Sequence, residues 1–397
     1  MQTVEAEVRL HGSRVGFLRY DRGGSEFHYE DDLSAPGHRV LGQTFEDDPG
    51  SARRSKIGLP SWFANLLPEG ALRQQIVHEL GGGRIGDFTL LSRLGGYLPG
   101  AVAVHTTSEP DDDHGPEHIP VPDHPLRHSL AGVQLKYSVA SERLSTAVTG
   151  DDGWWIVKLP DRTLQKLVTN EYLTMRWLAE AGFDVPPVKL LPAHAVDGIP
   201  DGLVDPSEPL YLIERFDRSA AGPIHVEDFA QVADVPPRFK YSDSGVTYDS
   251  LGRAVRQLTG EAGYTDYIRR LVAMLVTGNT DAHLKNWALR YQDGRTPALA
   301  PVYDFHCLTV YRPYRYSSLA LSLNNEMYAG SIDLEDFRRL ADTCGADAAA
   351  TVDTVVRTVD DLRTAWHSLR DETASRFDAL AVQYTERLAN LSICTAA

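Results

Sequence analysis

The residues best equipped for chemistry lie together in 278–305, GNTDAHLKNWALRYQDGRTPALAPVYDF. Asp281 offers a carboxylate that can accept a proton. Asn286 offers an amide oxygen, and Asp304 a second carboxylate. An apolar helix is expected over 267–277, stopped by Gly278. After Asn286 the pattern predicts a strand over 287–291, a turn at Asp293-Gly294 and a second strand over 299–303. A hairpin symmetric about Arg295 sets Asn286 opposite Asp304 at its open end. Those two side chains are hard oxygen donors of the kind Mg²⁺ takes.

Asp281 stands five residues before Asn286. An Asp that orients and deprotonates a hydroxyl, four spacers and a metal-binding Asn form the loop with which protein kinases transfer phosphate. Alone, that spacing arises often by chance, and a capped loop with solvated Asp and Asn would carry it too. The preceding apolar helix and the following hairpin are the context that makes it informative. Lys158 is the next candidate. It follows two tryptophans in WWIVKLP, a predicted strand on which Trp154, Ile156 and Lys158 share a face. A charge there is costly unless paired. Glu171, at the start of the following predicted helix, is the nearest suitable carboxylate, and the pair would hold ATP phosphates. A lysine snorkelling from a strand end is the alternative. The segment HSLAGVQLK precedes that strand; its single Gly132 matches neither known phosphate-loop pattern, and only its placement makes it a phosphate cover. The strand YLIERF runs into Asp217, where a kinase presents backbone to adenine and a carboxylate to ribose. An ordinary strand end with a surface Arg–Asp pair reads the same way.

Other elements must position these groups. Val4, Ala6, Val8 and Leu10 alternate, Gly12-Ser13 turns the chain, and Val15 and Phe17 resume, which predicts a β-hairpin. A helix is expected near Pro68 with the stripe Leu72, Ile76 and Leu80, and a second one capped by Asp87 and carrying Phe88, Leu91 and Leu94. Residues 106–128 hold five prolines, many charges and His114, His118, His124 and His128; they read as a solvated linker, because prolines interrupt any regular ligand spacing. A further helix is expected over 170–181, with Thr169 as cap and Gly182 as stop. The rest reads as mainly helical. The expected organisation is therefore α+β: a β-rich N-terminal domain (1–105), a linker (106–128), and a two-lobed, kinase-like core with an N-lobe (129–217) and a helical C-lobe (218–397).

With 397 residues, two or three domains are expected. The formal net charge of −16 repels phosphate backbones and disfavours direct nucleic-acid binding. Three cysteines without C-x-x-C spacing argue against a disulfide framework or a zinc site. The opening MQTVEAEVRLHG shows no apolar signal core, and no apolar run approaches the roughly 18 residues of a membrane span. A soluble, cytoplasmic protein without membrane contact is expected.

In order and wording these pieces resemble the HipA family. FANLLPEGALR (63–73) and LLSRLGGYLPGAV (90–102) are similar to its first domain. SLAGVQLK, VKLP, NEYLTMRWLAEAGFDVP, ERFDR, HVEDFAQ, GNTDAHLKN, PVYDF and LALSLNNE are similar to its core. Tyr97 stands where family members often carry an acidic residue. The resemblance implies a serine/threonine protein kinase that uses ATP and Mg²⁺ as the toxin of a type II toxin–antitoxin system. Its implied substrate is a translation component such as an aminoacyl-tRNA synthetase. Its implied partner is a HipB-like helix-turn-helix antitoxin, through which alone it would meet DNA. By the same matching, Asp281 is the catalytic base, and Asn286 and Asp304 are metal ligands. Lys158, Glu214, Phe216, Asp217, Gln231 and Gly132 line the nucleotide site, with His225 near it and Glu171 and His283 in support. Ser129 is the matching autophosphorylation site. Two other readings stay open at this point: a catalytically weak co-repressor subunit of an antitoxin–DNA complex, and a small-molecule phosphotransferase sharing the Asp-x4-Asn loop.

Overall fold

The computed structural model describes residues 3–21, 24–30, 37–80, 82–106, 126–127, 136–140, 154–161, 163–196 and 204–396. Helix and antiparallel sheet occur in separate stretches, the α+β arrangement expected. The chain forms two compact units. One comprises Met1–Leu159, Leu191–Arg238 and Leu289–Thr296; the other comprises Pro160–Leu190, Phe239–Ala288 and Pro297–Ala397. These units cut across the segments drawn from sequence.

In the first unit a five-stranded antiparallel sheet has the order Arg53–Ser55, Gly24–Tyr29, Ser13–Asp21, Val4–Leu10 and Val102–Thr106. The alternation of Val4–Leu10 holds: Ala6, Val8 and Leu10 are buried. The turn falls one residue earlier than expected, at His11-Gly12, both with positive φ (48° and 80°). That is the backbone a two-residue hairpin with native twist requires. On the returning strand the register shifts opposite Val8/Arg9. This irregularity exchanges the faces beyond it, so Leu18, not Phe17, enters the core. The buried face packs against Trp62, Phe63, Phe88, Leu90 and Leu91. The helix expected near Pro68 runs Gly70–Glu79, and the next runs Asp87–Leu94. Gly86, not Asp87, is the N-cap of the latter. Asp87 instead accepts a 2.7 Å hydrogen bond from Arg73.

A second antiparallel sheet sets Trp154–Lys158 between Lys136–Ala140 and Pro209–Glu214. Trp155, Val157, Leu210 and Leu212 form its core with Ala193 and Val196. The strand His225–Asp228 lies beside Ala288–Tyr291.

The second unit is helical. Leu167–Glu180 starts three residues before the expected position, and Gly182 (φ +77°) ends it as predicted. Trp177 packs at a tilt against Trp366 and Tyr384 of the helix Ala348–Asn390, and its indole donates to the Leu362 carbonyl at 2.9 Å. The helix Tyr248–Thr277 is interrupted at Gly260 and ends on Gly278 (φ +72°). Its last turns, from Leu271 to Thr277, are fully buried. Among the described residues no helix is long and apolar enough to cross a membrane.

Candidate active site

The loop that follows Gly278 is held by its own backbone and by the core beneath it. A Cβ at position 278 would lie 2.4 Å from the Thr309 hydroxyl, so the left-handed turn must be glycine. Asn279, fully buried, accepts the Asp281 N–H at 3.2 Å. The Asp281 carbonyl accepts the His283 N–H at 2.7 Å and the Asn286 side-chain amide at 2.9 Å. The Ala282 carbonyl takes the Trp287 indole and the Tyr248 hydroxyl. A short 3₁₀ turn, Leu284–Asn286, closes the loop. The four-residue spacing thus becomes a direct contact: Asn286 is clamped to the backbone of Asp281. Turning its N–H₂ inward leaves the amide oxygen as the group available to a cation.

Asp304 comes to the same place. The Leu308 N–H donates to the Gly278 carbonyl at 3.1 Å, and the Tyr303 hydroxyl to the Lys285 carbonyl at 2.9 Å. Asn170 grips Cys307 through both backbone groups, at 2.8 and 2.9 Å. Asp304 itself has φ +61°, a left-handed conformation rare outside glycine. The hairpin that delivers it is shorter than predicted. Its second strand is Pro297–Leu299, not 299–303, and the Ala300 N–H donates to the Ala288 carbonyl at 2.9 Å. That pairing centres the hairpin on Gly294, one residue before the expected Arg295. The φ of +78° at Gly294 explains the shift, because the turn is built around the residue that tolerates it. Beyond Ala300 the chain leaves the ladder and reaches Asp304 as a loop.

Burial pushes the Asp281 carboxyl above its ordinary range. The positive field of His306, a hydrogen bond from Tyr241 and the charge of Lys240 oppose that rise, while the neighbouring charge of Asp304 adds to it. The Tyr241 hydroxyl donates to Asp281 Oδ1 at 3.0 Å. Its ring stands edge-on to His283 at 5.1 Å. Neither Tyr241 nor His306 is visible as a site residue in the sequence. Tyr241 sits 40 positions upstream of its partner with no motif around it. His306 does fall two residues after a recognised Asp, which was the available signal.

The other candidates have surroundings of their own. Lys158, in the first unit, is 3 % exposed, with Nζ 5.8 Å from the Tyr211 ring centroid. The core-facing residues of its strand are Trp155 and Val157, so Lys158 points away from that cluster. Glu171 lies in the second unit on Leu167–Glu180 and is buried. Glu214 and Phe216, at the end of Pro209–Glu214 and just beyond it, are half-buried. Asp217 is buried and bound inside the protein: Arg215 grips both carboxylate oxygens (2.8 and 2.7 Å), and Arg218 and the Gly100 N–H each donate at 2.9 Å. The guanidinium groups overcome the cost of burial and hold its pKa down at about 2. Gln231 caps its own short helix with Asp228 and donates to the Trp62 carbonyl at 3.1 Å. His225 is bonded to the Leu41 carbonyl at 2.8 Å, and burial lowers its pKa to about 4. Between His225 and Gln231 stands a residue sequence reasoning passed over. Glu227, fully buried, accepts from the Trp62 indole (2.8 Å), the Gln43 N–H (3.1 Å) and the Tyr291 hydroxyl (3.0 Å). Its signal was an acidic residue alternating with His225 on a buried strand. Ser129, Gly132 and the four linker histidines lie outside the described residues. Among the described residues no group of three or more His, Cys, Asp or Glu is arranged to hold a metal by itself.

Comparison with known proteins places this geometry in context. The family model described as the HipA N-terminal domain matches residues 6–105, and the HipA-like C-terminal domain matches residues 128–366. Two provisionally named kinases of Sinorhizobium fredii are 35 % and 28 % identical, over 91 % and 92 % of this chain and the same shares of their own lengths. The serine/threonine-protein kinase toxin HipA of Shewanella oneidensis is 24 % identical over 83 % of this chain and 81 % of its own. A solved complex of Shewanella oneidensis HipA, HipB and operator DNA contains a chain that matches with a TM-score of 0.72 at 19 % identity, covering 99 % of each. At that identity the match speaks for the fold.

Proposed function

This chain belongs to the HipA family, and from that premise we propose that it is an ATP- and Mg²⁺-dependent serine/threonine protein kinase, the toxin of a type II toxin–antitoxin pair. The observation that carries the reading is the loop in which Asn286 is clamped to Asp281 and Asp304 is brought alongside. Asp281 orients the acceptor hydroxyl and takes its proton, and its raised pKa brings it nearer to the strength a general base needs. Asn286 and Asp304 fit Mg²⁺ because that ion is held by one or two protein oxygens together with substrate phosphates, rather than by a full protein cage. Bound Mg²⁺–ATP supplies the phosphoryl group. Lys158 holds its phosphates, and the segment around Gly132 covers them. Ser129 is the autophosphorylation site.

The protein substrate is a translation component such as an aminoacyl-tRNA synthetase. The partner is a HipB-like helix-turn-helix antitoxin, and DNA is met only through it. The net charge of −16 supports that division of labour, as does the relative solved together with HipB and operator DNA.

The test is phosphoproteomics after expression of the wild type and of Asp281→Asn, with purified proteins incubated with labelled ATP in parallel. Losing a general base lowers transfer by about 10²–10⁴-fold. Equal labelling by both proteins overturns the assignment.

A further inference from the structure

The phenol on Asp281 raises a question of access. A hydroxyl that is to be phosphorylated must present its O–H to this carboxylate at hydrogen-bond distance. In the structure that O–H is already supplied, by Tyr241 to Oδ1 at 3.0 Å. Tyr241 is not a core residue: it is 37 % exposed. It enters from a stretch of irregular chain, with 3₁₀ turns over Pro237–Phe239 and Ser242–Ser244 and a left-handed Gly245. The residue before it is fixed to the catalytic loop, since the Lys240 carbonyl accepts the Leu284 N–H at 3.1 Å. The main chain is therefore tethered while the ring lies at the surface. On the other flank of Asp281, Thr280 is hydrogen-bonded to Ser317 at 2.9 Å, next to Tyr316, which is 77 % exposed.

We propose that Tyr241 is the gate of the acceptor site: its phenol occupies the place on Asp281 where a substrate serine or threonine hydroxyl docks, and the acceptor enters by displacing it. The inference rests on the kinase reading of the same site. The phenol and the acceptor are both neutral O–H donors competing for one carboxylate. The contest raises the acceptor concentration needed for half-saturation without adding a barrier to transfer once the acceptor is seated. A phenol that served to orient Asp281 during transfer would act in the opposite sense. Its removal would lower kcat and leave acceptor binding alone.

Tyr241→Phe separates the two, because it keeps the ring against His283 and deletes only the hydroxyl. The full chain is assayed with labelled ATP and three acceptors: dephosphorylated casein, the chain itself by intact mass, and water by phosphate release. A hydrogen bond to a charged group is worth about one factor of ten in an equilibrium constant. The variant should therefore show a KM for casein about tenfold lower, with kcat not lowered. Transfer by the wild type combined with an unchanged KM in the variant, or with a lowered kcat, overturns the gate and leaves the kinase standing. No transfer by the wild type to casein, to itself or to water overturns the kinase reading and the gate with it.

Discussion

Glu227→Gln tests the most unusual carboxyl in the first unit. Glu227 is fully buried and accepts three donors, from Trp62, Gln43 and Tyr291. Burial nevertheless outweighs them and pushes its pKa from 4.5 up to about 7. Because the folded value exceeds the unfolded one, the native state binds this proton more tightly. The group's contribution to stability is then fully present below pH 4.5 and is lost as pH rises through about 7. At 1.36 kcal/mol for each decade, the gap from 4.5 to about 7 corresponds to about 3 kcal/mol. Glutamine imitates the protonated acid: it keeps one oxygen for Trp62 and Gln43, carries no charge and cannot titrate. The assay is urea unfolding of both proteins at half-unit steps from pH 4.5 to 8, read as the difference between them. The wild type should lose about 3 kcal/mol relative to Glu227→Gln across that range, with most of the change between pH 5 and 7. A difference that stays flat refutes the assignment of a buried, titrating acid. A difference that grows in the opposite sense shows that the three donors outweigh the loss of water.

Asp217→Ala leaves the buried Arg215 and the half-buried Arg218 beside each other without their shared counter-charge. It should cost about 3–5 kcal/mol in urea unfolding, and a loss under ~1 kcal/mol would mean that water or a second acid replaces it. Asp304→Asn, which suits the left-handed backbone at φ +61°, should weaken Mg²⁺-dependent ATP binding at least about tenfold in calorimetry. Unchanged affinity removes Asp304 from the metal site. Ser129→Ala should abolish the phosphopeptide found after incubation with ATP, where each phosphate adds about −1.5 to −2 charges. Phosphate on another residue in its place would falsify the assignment of Ser129 as the autophosphorylation site.

What the sequence made legible was local and periodic. The alternation of Ala6, Val8 and Leu10 was enough to fix a strand and its buried face. Gly182 and Gly278 were enough to stop two helices, since both need positive φ. The Asp281–Asn286 spacing survives as a contact because both ends belong to one short loop. Two of the misplacements arise where the backbone departs from the regularity that a pattern assumes. The register shift opposite Val8/Arg9 exchanged Phe17 for Leu18. The hairpin recentred on Gly294 because a turn follows the residue that tolerates it, not the midpoint of two apolar runs. Tyr241 and Glu227 were out of reach for a third reason. Their partners are 40 to 184 residues away, and the chemistry of each is created by the fold and by no neighbour in the chain.

The long-range polar bonds of the first unit explain how its β-rich part is fixed to the strand that carries His225 and Glu227. Trp62 and Gln43 donate to Glu227, Asn65 donates to the Val235 carbonyl, Gln231 reaches the Trp62 carbonyl, His225 meets the Leu41 carbonyl, and Gly100 donates to Asp217. Each joins a residue between 41 and 100 to one between 217 and 235. An apolar interface would tolerate sliding, because its contacts are interchangeable. A buried interface of one-to-one hydrogen bonds does not, since every displaced donor or acceptor loses its partner without regaining water. The sequence VEDFAQ thus has a role in register that its resemblance to a nucleotide site did not disclose. Glu227 and Gln231 each bond one layer of the first unit to the next, and burial, which raises the Glu227 pKa to about 7, predicts that this joint is weakened as pH rises through that value.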